Sequence, residues 1–275
     1  MKYADLHLHT YFSDGTYSVE ELIKQAVEQD LSCIAITDHD TIDGYIYLKN
    51  NLSKFPLEVI CGIELTCDMN GKEVHILGYF LDYKNRALLD TCDSIKKDRK
   101  KRIQDMVLKL KDLGIGLDSK DVFDLAKKGV VGRLHLARVM VEKGYCSSIK
   151  EAFLKYIGDE SPAYINRFLL TPEKAVKLII QAKGIPVLAH PYMLQKNGSI
   201  DALIDAGIKG IEVYYPEHRK KQIKEFLGIA KRNNLLVTGG SDCHGNAKSS
   251  KLIGRIRLPY SFVEELKKNK SKNEE

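Results

Sequence analysis

Short apolar runs rich in β-branched residues alternate with helical patterns along much of the chain. Each of seven runs that predict strands ends in a polar group: YADLHLH (3–9), LSCIAITDHD (31–40), LEVICGIELT (57–66), EVHILGYF (73–80), GIPVLAHP (184–191), GIEVYY (210–215) and LLVTGGSDCH (235–244). Helical patterns include 18–29, where Ser18 and Glu21 form a capping box, and 172–183, where Pro172 suits a first turn. This alternation predicts a mainly parallel sheet or barrel with helices outside it.

The region from about 85 to 160 has a different pattern, with helices and no convincing strand. Helices are predicted at 87–113, 119–128, 134–143 and 149–157, the last with a capping box of Ser148 and Glu151. We therefore expect a helical insertion at 85–160, acting as a substrate cap, within a barrel domain formed by 1–84 and 161–275.

Composition indicates an ordinary soluble globular protein. The 275 residues are 44% hydrophobic and 29% charged, which is enough apolar material for a full core. No stretch approaches the roughly 18 to 20 apolar residues of a membrane span, and no cleavable leader pattern is visible, so a cytoplasmic location is expected. The six cysteines form no CxxC pair, which predicts reduced thiols, mostly in the core.

Positive charge is concentrated near residue 100. The segment SIKKDRKKR (94–102) alone contributes +5 of a formal net charge of +6. On a helical wheel, Arg99 falls inside an apolar stripe and Arg102 on its border, while Lys97 and Lys101 point away. The stripe consists of Ile103, Met106, Val107 and Leu110. The lysines are therefore expected in solvent, and the arginines are expected to face the barrel mouth.

His7 and His9 are the first candidate metal ligands in the chain. Because alternate residues of a strand share a face, their side chains should point the same way. Alone, an HxH pair is a weak signal, because it more often marks partly buried strand histidines than metal ligands. The other strand ends add Asp38, His39, Glu64, His75, His190, Asp242 and His244. Burying this set without a metal would leave unpaired charge at a large desolvation cost, so a metal site is predicted where the strands end.

The motifs DLHLHTYFSDG, ITDHDT, GIELT, HILGYF, VLAHP and GSDCHG, in that order, resemble those of the polymerase and histidinol phosphatase (PHP) superfamily of metal-dependent phosphoesterases. The resemblance spans almost the whole chain. It implies an α/β fold, a distorted TIM-like (β/α)7 barrel with three divalent metal ions.

The resemblance also implies three ligand sets. They are His7, His9, Glu64 and Asp242 for the first ion, Glu64, His75 and His190 for the second, and Asp14, His39 and His244 for the third. The family often has histidine where this chain has Asp14, and a carboxylate favours harder ions such as Mn²⁺, although Fe²⁺ and Zn²⁺ also accept this donor mixture. Asp38 is interpreted as a neighbour that orients an imidazole rather than as a ligand.

Charge balance in such a site favours hydrolysis of an anion. Three divalent ions outweigh the carboxylates of Asp14, Glu64 and Asp242, which leaves a site that attracts phosphate. A metal-bound hydroxide would then be the nucleophile, and no serine or cysteine nucleophile is required.

The insertion offers a second phosphate site. We predict that phosphate binds to the inward-facing Arg99 and Arg102 and to Arg133 and His135 of VGRLHLAR. For the three arginines, salt bridges to the barrel are the alternative. Two phosphate sites would select a doubly phosphorylated substrate. Within the superfamily, the length of the chain, its mid-chain helical insertion and the segment GIEVYYPEH most resemble the nucleoside 3',5'-bisphosphate phosphatases, some of which also trim RNA from its 5' end.

Several assignments have competing interpretations. In YYPEH, His218 is a possible acid for the leaving oxygen or a surface-loop residue, and Tyr214 and Tyr215 either stack on a base or pack in the core. For the whole protein, the alternatives are a histidinol phosphate phosphatase and a nucleic-acid-binding or polymerase-accessory module with structural metals. The expected partner is a small phosphorylated nucleotide or a short RNA 5' end; no membrane and no stable protein partner are inferred.

Overall fold

The computed structural model describes residues 1–127, 129–166, 170–194, 200–247 and 252–272. The strands are β1 (Tyr3–Leu8), β2 (Leu31–Ile36), β3 (Glu58–Met69), β4 (Lys72–Tyr79), β5 (Ile185–Leu188), β6 (Gly210–Tyr214), β7 (Leu236–Gly239) and β8 (Leu258–Pro259). The helices are α1 (Val19–Glu28), α2 (Asp43–Leu48), α3 (Arg86–Asp112), α4 (Ser119–Ala126), α5 (Arg133–Glu142), α6 (Ile149–Ala152), α7 (Pro172–Gln181), α8 (Ile200–Asp205), α9 (Lys220–Arg232) and α10 (Tyr260–Lys272).

The strands form one sheet that curves into a nearly closed barrel. Their order is β7-β6-β5-β4-β3-β2-β1-β8, and the short β8 pairs with the outer side of β1. The chain just after β7 also meets the end of β1, where the His9 N–H donates to the Cys243 carbonyl at 3.0 Å. The predicted barrel class is confirmed, with seven main strands and one short addition.

Strand β4 departs from the predicted pattern. It runs antiparallel to both β3 and β5, whereas the other neighbouring pairs among β1 to β7 are parallel. It ends at the buried Tyr79, so the expectation that each run ends in a polar group was wrong here. His75 lies in the first half of β4, and the reversed direction brings it beside Thr66, near the carboxyl end of β3.

The capping residues in the sequence predicted where α1 and α7 begin. Helix α1 begins after Ser18 with the full capping box to Glu21, and Pro172 begins α7. At α6 only half of the predicted box forms: Ser148 accepts from the Glu151 N–H, but the Glu151 carboxylate accepts from the N–H of Ser147 at 2.7 Å. The chain then continues from α6 into a π-helical turn, Phe153–Ile157.

The helices between β4 and β5 bury a hydrophobic cluster of their own. It extends from Ile103 on α3 to Ala163 and includes the predicted stripe. Lys97 and Lys101 are exposed, as expected, and the side chains of Arg99 and Arg102 are buried. The boundaries 85 and 160 of the insertion stay a prediction.

Two expectations from composition can be compared with the fold. All six cysteines are free and buried. Across the described ranges, we find no helix with the length and apolar character needed to cross a bilayer.

Candidate metal centre

Glu64 lies at the centre of five histidine side chains. Its Oε2 atom is 3.1 to 3.2 Å from nitrogens of three of them, and its Oε1 atom is 2.8 and 2.9 Å from the other two. The first group is His7, His9 and His39, and the second is His75 and His190. Residues from β1, β3, β4 and the chain after β2 and β5 therefore converge on one carboxylate.

Three overlapping groups of donor atoms are close enough to hold metal ions. The groups are His7, His9, Glu64 and Asp242; His9, Asp14, His39 and His244; and His39, Glu64 and His75. Within each group the donor atoms lie within 4.8 Å of one another. Because His9, Glu64 and His39 each belong to two groups, the arrangement matches a multinuclear centre better than three separate sites.

Unsatisfied polar atoms show that these side chains fit metal ions. Six buried atoms here have no hydrogen-bond partner among the described residues: His7 Nε2, His9 Nδ1 and Nε2, Asp14 Oδ1, His39 Nδ1 and Glu64 Oε2. Buried polar groups without partners are costly, and cations would satisfy lone pairs that converge in this way. The structure thus has the donors, the burial and the unmet bonding capacity that a metal centre needs.

Electrostatics favour an ionised carboxylate at the centre of the donor group. Burial opposes ionisation of Glu64, but His39, His7 and His75 outweigh it and hold its pKa well below the usual range. Burial lowers the pKa of His39 to about 3. Burial would also lower the pKa of the imidazoles of His7, His9 and His75, but the neighbouring carboxylates outweigh it and raise these pKa values, that of His75 to about 10. An ionised carboxylate and a neutral imidazole are the forms that bind metals, so a bound cation would replace protons on these three histidines.

The groups differ in two respects from the predicted ligand sets. The first matches, and the second group contains the predicted Asp14, His39 and His244 together with His9. In the third, His39 joins Glu64 and His75 where His190 was predicted. The His75 ring lies between the other two, 5.0 Å from His39 and 5.1 Å from His190, so both remain neighbours of this donor group.

Two of the predicted ligands have unusual backbone conformations. His190 has φ of 26° and Asp242 has φ of 52°, in a region that residues other than glycine seldom adopt. Such residues persist where the surrounding structure holds them, and they cluster at functional sites.

Among the described residues, Asp38 makes its side-chain hydrogen bonds to Thr10 and Ser13 rather than to the imidazole that the prediction gave it. Its Oδ1 accepts from the Thr10 N–H at 2.7 Å and the Ser13 hydroxyl at 2.6 Å, and its Oδ2 accepts from the Thr10 hydroxyl at 2.7 Å. These bonds hold the turn that joins His9 to Asp14. The aspartate thus positions predicted ligands through the backbone.

A cavity of about 350 Å³ opens from the metal centre toward the helical region. Predicted ligands and predicted arginines share its wall: Asp14, His39, His75, Arg99, Arg102 and Arg133. These residues come from five separate parts of the chain, since Arg99 and Arg102 share α3, and the fold brings them to one cavity.

The three arginines have different partners. Arg99 donates through Nε to the Asp40 carboxylate at 2.8 Å and through Nη2 to the Thr66 hydroxyl at 3.1 Å, which is the predicted alternative of a salt bridge to the barrel. Arg102 donates to the Ile165 carbonyl at 2.8 Å, and Arg133 donates to Asp159 at 2.6 Å. Arg133 also makes the predicted alternative contact with the barrel, because it donates to the carboxylate of Glu73 on β4 at 3.3 Å. The guanidinium carbons of Arg102 and Arg133 lie 5.2 and 5.5 Å from the centre of the Tyr164 ring.

The comparisons with known proteins agree with this geometry. The PHP domain family matches residues 5–161, more than half of the chain. The chain belongs to the PHP family. It is thus a metal-dependent phosphoesterase, as the motifs implied.

Relatives of this PHP protein have different named activities. A 3',5'-nucleoside bisphosphate phosphatase of Chromobacterium violaceum is 29% identical, over 91% of the chain and 90% of the relative. A phosphoribosyl 1,2-cyclic phosphate 1,2-diphosphodiesterase of Eggerthella lenta is 28% identical, over 93% and 98%. A 5'-3' exoribonuclease of Haemophilus influenzae is 30% identical, over 87% and 89%.

A solved structure has the same fold. It is described as a putative metal-dependent phosphoesterase from Bifidobacterium adolescentis, and it is 30% identical with a TM-score of 0.89. The match covers 96% of this PHP chain and 95% of the other.

Two predicted residues lie away from the cavity. Neither His135 nor His218 is among the described residues that line it. His135 is buried in α5, where its Nδ1 accepts the Gly132 N–H at 3.2 Å. His218 is also buried, its Nδ1 bonds to the Val213 carbonyl at 2.8 Å, and its ring contacts Tyr215 and Phe226. The burial of His218 contradicts its surface-loop interpretation. Its role as an acid and phosphate binding by His135 stay predictions.

The tyrosines of this segment pack inside the protein. Tyr214 packs against Phe262, and the buried Tyr215 donates its hydroxyl to Asp242 Oδ2 at 2.9 Å. Neither contact is stacking on a nucleotide base. The hydroxyl of Tyr215 supports a predicted metal ligand instead.

Sequence reasoning missed the buried carboxylates that support the ligands. Glu212 Oε1 lies 3.0 Å from His7 Nδ1, and Asp5 accepts from the Ser241 N–H at 2.8 Å, next to Asp242. An acidic residue inside an apolar strand, as in GIEVYY and YADLHLH, was the available signal, because a buried carboxylate needs a partner.

Proposed function

We propose that this phosphoesterase hydrolyses a phosphate monoester of a nucleoside 3',5'-bisphosphate to give a nucleoside monophosphate. The supporting observation is the shared cavity of about 350 Å³, where Asp14, His39 and His75 face the same space as Arg102 and Arg133. A substrate with two phosphates could place one at the metal centre and the other at the arginines. The named activity of the Chromobacterium relative agrees with this assignment.

Nine residues are the proposed metal ligands: His7, His9, Asp14, His39, Glu64, His75, His190, Asp242 and His244. When bound, three divalent ions would neutralise phosphoryl charge and supply an activated water molecule for attack on phosphorus. Mn²⁺ is the proposed metal, because the set mixes imidazoles with three carboxylates.

The cap residues would bind the phosphate that is not cleaved. The guanidinium of Arg133 is held by Asp159, and that of Arg102 by the Ile165 carbonyl, so both groups are placed before substrate arrives. Paired N–H groups of arginine match two phosphate oxygens. Arg99 is bound to Asp40 on the barrel, so its proposed role is to fix α3 and contribute positive charge to the wall.

Hydrolysis with Mn²⁺ tests the substrate, with chromatographic separation of the products so that inorganic phosphate, mononucleotides and the opened cyclic phosphate are all detected. We expect the highest kcat/KM for adenosine 3',5'-bisphosphate, compared with adenosine 5'-monophosphate, histidinol phosphate, a 5'-phosphorylated oligoribonucleotide and phosphoribosyl 1,2-cyclic phosphate. Preference for any of the other compounds would replace the proposal with the corresponding activity. If none of the five compounds is hydrolysed, a binding module with structural metals would be favoured.

Variants test the second phosphate site. Arg133→Ala should raise KM for the bisphosphate by about 10- to 100-fold, because a charge-assisted hydrogen bond contributes roughly 1.5 to 3 kcal/mol. KM for a simple aryl phosphate should change little. Lys101→Ala is the matched control, since it removes one positive charge from an exposed position on α3. Equal effects of Arg133→Ala on both substrates would show that the arginine is structural.

A further inference from the structure

Strand β6 supplies no predicted metal ligand, yet its Glu212 contacts two of them. The side chain is fully buried. Its Oε1 lies 3.0 Å from Nδ1 of His7, and its Oε2 accepts the backbone N–H of His190 at 2.8 Å. One carboxylate thus joins the ligand from β1 to the ligand that follows β5.

The contact with His7 selects one form of its imidazole. A carboxylate oxygen accepts hydrogen bonds, so Nδ1 of His7 carries the hydrogen in this contact. In the neutral imidazole, the form that binds metals, Nε2 is then left with a lone pair, 3.1 Å from Glu64 Oε2 and 3.6 Å from Asp242 Oδ1. This nitrogen has no hydrogen-bond partner among the described residues, as a metal-binding nitrogen requires.

The contact with His190 holds a backbone that is unfavourable by itself. His190 has φ of 26°, and its Nε2 lies 2.9 Å from Glu64 Oε1. A hydrogen bond to the N–H of this residue fixes the peptide that sets the direction of the imidazole.

We propose that Glu212 is a positioning residue of the metal centre, which fixes the Nδ1–H form of His7 and the backbone of His190 and thereby determines the affinity for divalent metal. The inference rests on the proposed function, because it takes His7 and His190 as ligands. Residues that orient metal ligands typically contribute about 10- to 100-fold to metal affinity.

Glu212→Gln is a sharp test, because glutamine has nearly the same shape but only one acceptor oxygen. Two donors, His7 Nδ1–H and the His190 N–H, would compete for that oxygen. If the amide nitrogen faces His7, the imidazole must carry its hydrogen on Nε2, where it blocks the metal. If the amide nitrogen faces His190, two donors face each other in a buried place.

The first measurement is Mn²⁺ affinity by calorimetric titration of metal-free protein. We expect Glu212→Gln to bind Mn²⁺ about 10- to 100-fold more weakly than wild type. Glu58→Gln is the matched control: it also removes a carboxylate that accepts from a side chain, Tyr260, but at the opposite end of β3 from the centre. Its Mn²⁺ affinity should be unchanged. Unchanged affinity in Glu212→Gln would overturn the inference.

The second measurement uses only the wild-type protein, so it does not depend on the folding of the variant. In Zn²⁺-loaded protein, ¹⁵N NMR of the histidine side chains should show His7 bound through Nε2 with its hydrogen on Nδ1. Binding through Nδ1 would overturn the inference. If both results hold while no phosphoester is hydrolysed, the proposed function fails and the role of Glu212 stands.

Discussion

Gly240 lies where the chain after β7 packs on β1, and a side chain there has no room. A Cβ atom at this position would lie 2.3 Å from His7 Cβ and 2.4 Å from His7 N, whereas ordinary contacts are 3.4–4 Å. Since one of these neighbours is backbone, relief requires the two segments to separate by about 1 Å. That movement would displace His7 from Asp242, only two residues after Gly240.

Gly240→Ala should therefore reduce stability and activity together. Overpacking typically costs about 1 to 3 kcal/mol. At roughly 2 to 4 °C per kcal/mol, the expected fall in Tm is roughly 2 to 12 °C, measured by calorimetry. A displacement of about 1 Å in a reacting site costs on the order of 100-fold in rate. Phosphate release at saturating Mn²⁺ should show that loss.

A second glycine provides the control for Gly240→Ala. At Gly116 the nearest atom to an added Cβ is Tyr145 Oη at 3.6 Å, an ordinary contact. Gly116→Ala should keep the wild-type turnover. Wild-type Tm and turnover in Gly240→Ala would refute the reasoning, because they would show that a methyl group fits beside His7 without displacing it.

Three further outcomes follow from other parts of the protein. Ser18→Ala should lower the free energy of unfolding by about 1 kcal/mol without changing turnover; unchanged stability would contradict the cap. Burial lowers the pKa of His135 to about 4, so this residue binds its proton more readily in the unfolded chain and contributes a loss of roughly 3 kcal/mol in metal-free protein as pH falls from 6.5 to 4. His135→Gln should make the pH profile shallower by that amount, and a wild-type slope would exclude this cause. Removal of metal by a chelator should lower Tm by roughly 5 to 10 °C, if the free metal concentration is normally about 100 times Kd. An unchanged Tm would count against a bound metal.

Several features of this protein could be predicted from short stretches of sequence. Strand alternation placed His7 and His9 on one side of β1, where both lie beside Glu64. The capping box at Ser18 marked the start of α1. The ordered motifs indicated the PHP family, which the family match confirms. All of these depend on residues close together in the chain.

Other features could not be predicted, because local pattern does not show which way a strand runs or which groups a side chain contacts. Alternation in EVHILGYF predicts a strand but not that β4 is antiparallel to its neighbours. Asp38 follows β2 beside His39, yet its carboxylate binds Thr10 and Ser13 on another segment. Helical position placed His135 near the arginines, but its side chain turns into the core.

The sequence by itself determined the elements, their caps and the residues able to bind metal, because these follow from periodicity and side-chain chemistry over a few positions. Only the tertiary structure decided how those residues are supported. Glu212 and His7 are 205 positions apart, and Asp5 and Ser241 are 236 apart. Such contacts depend on strand order and barrel closure, which bring distant segments within hydrogen-bond distance and which no local pattern encodes.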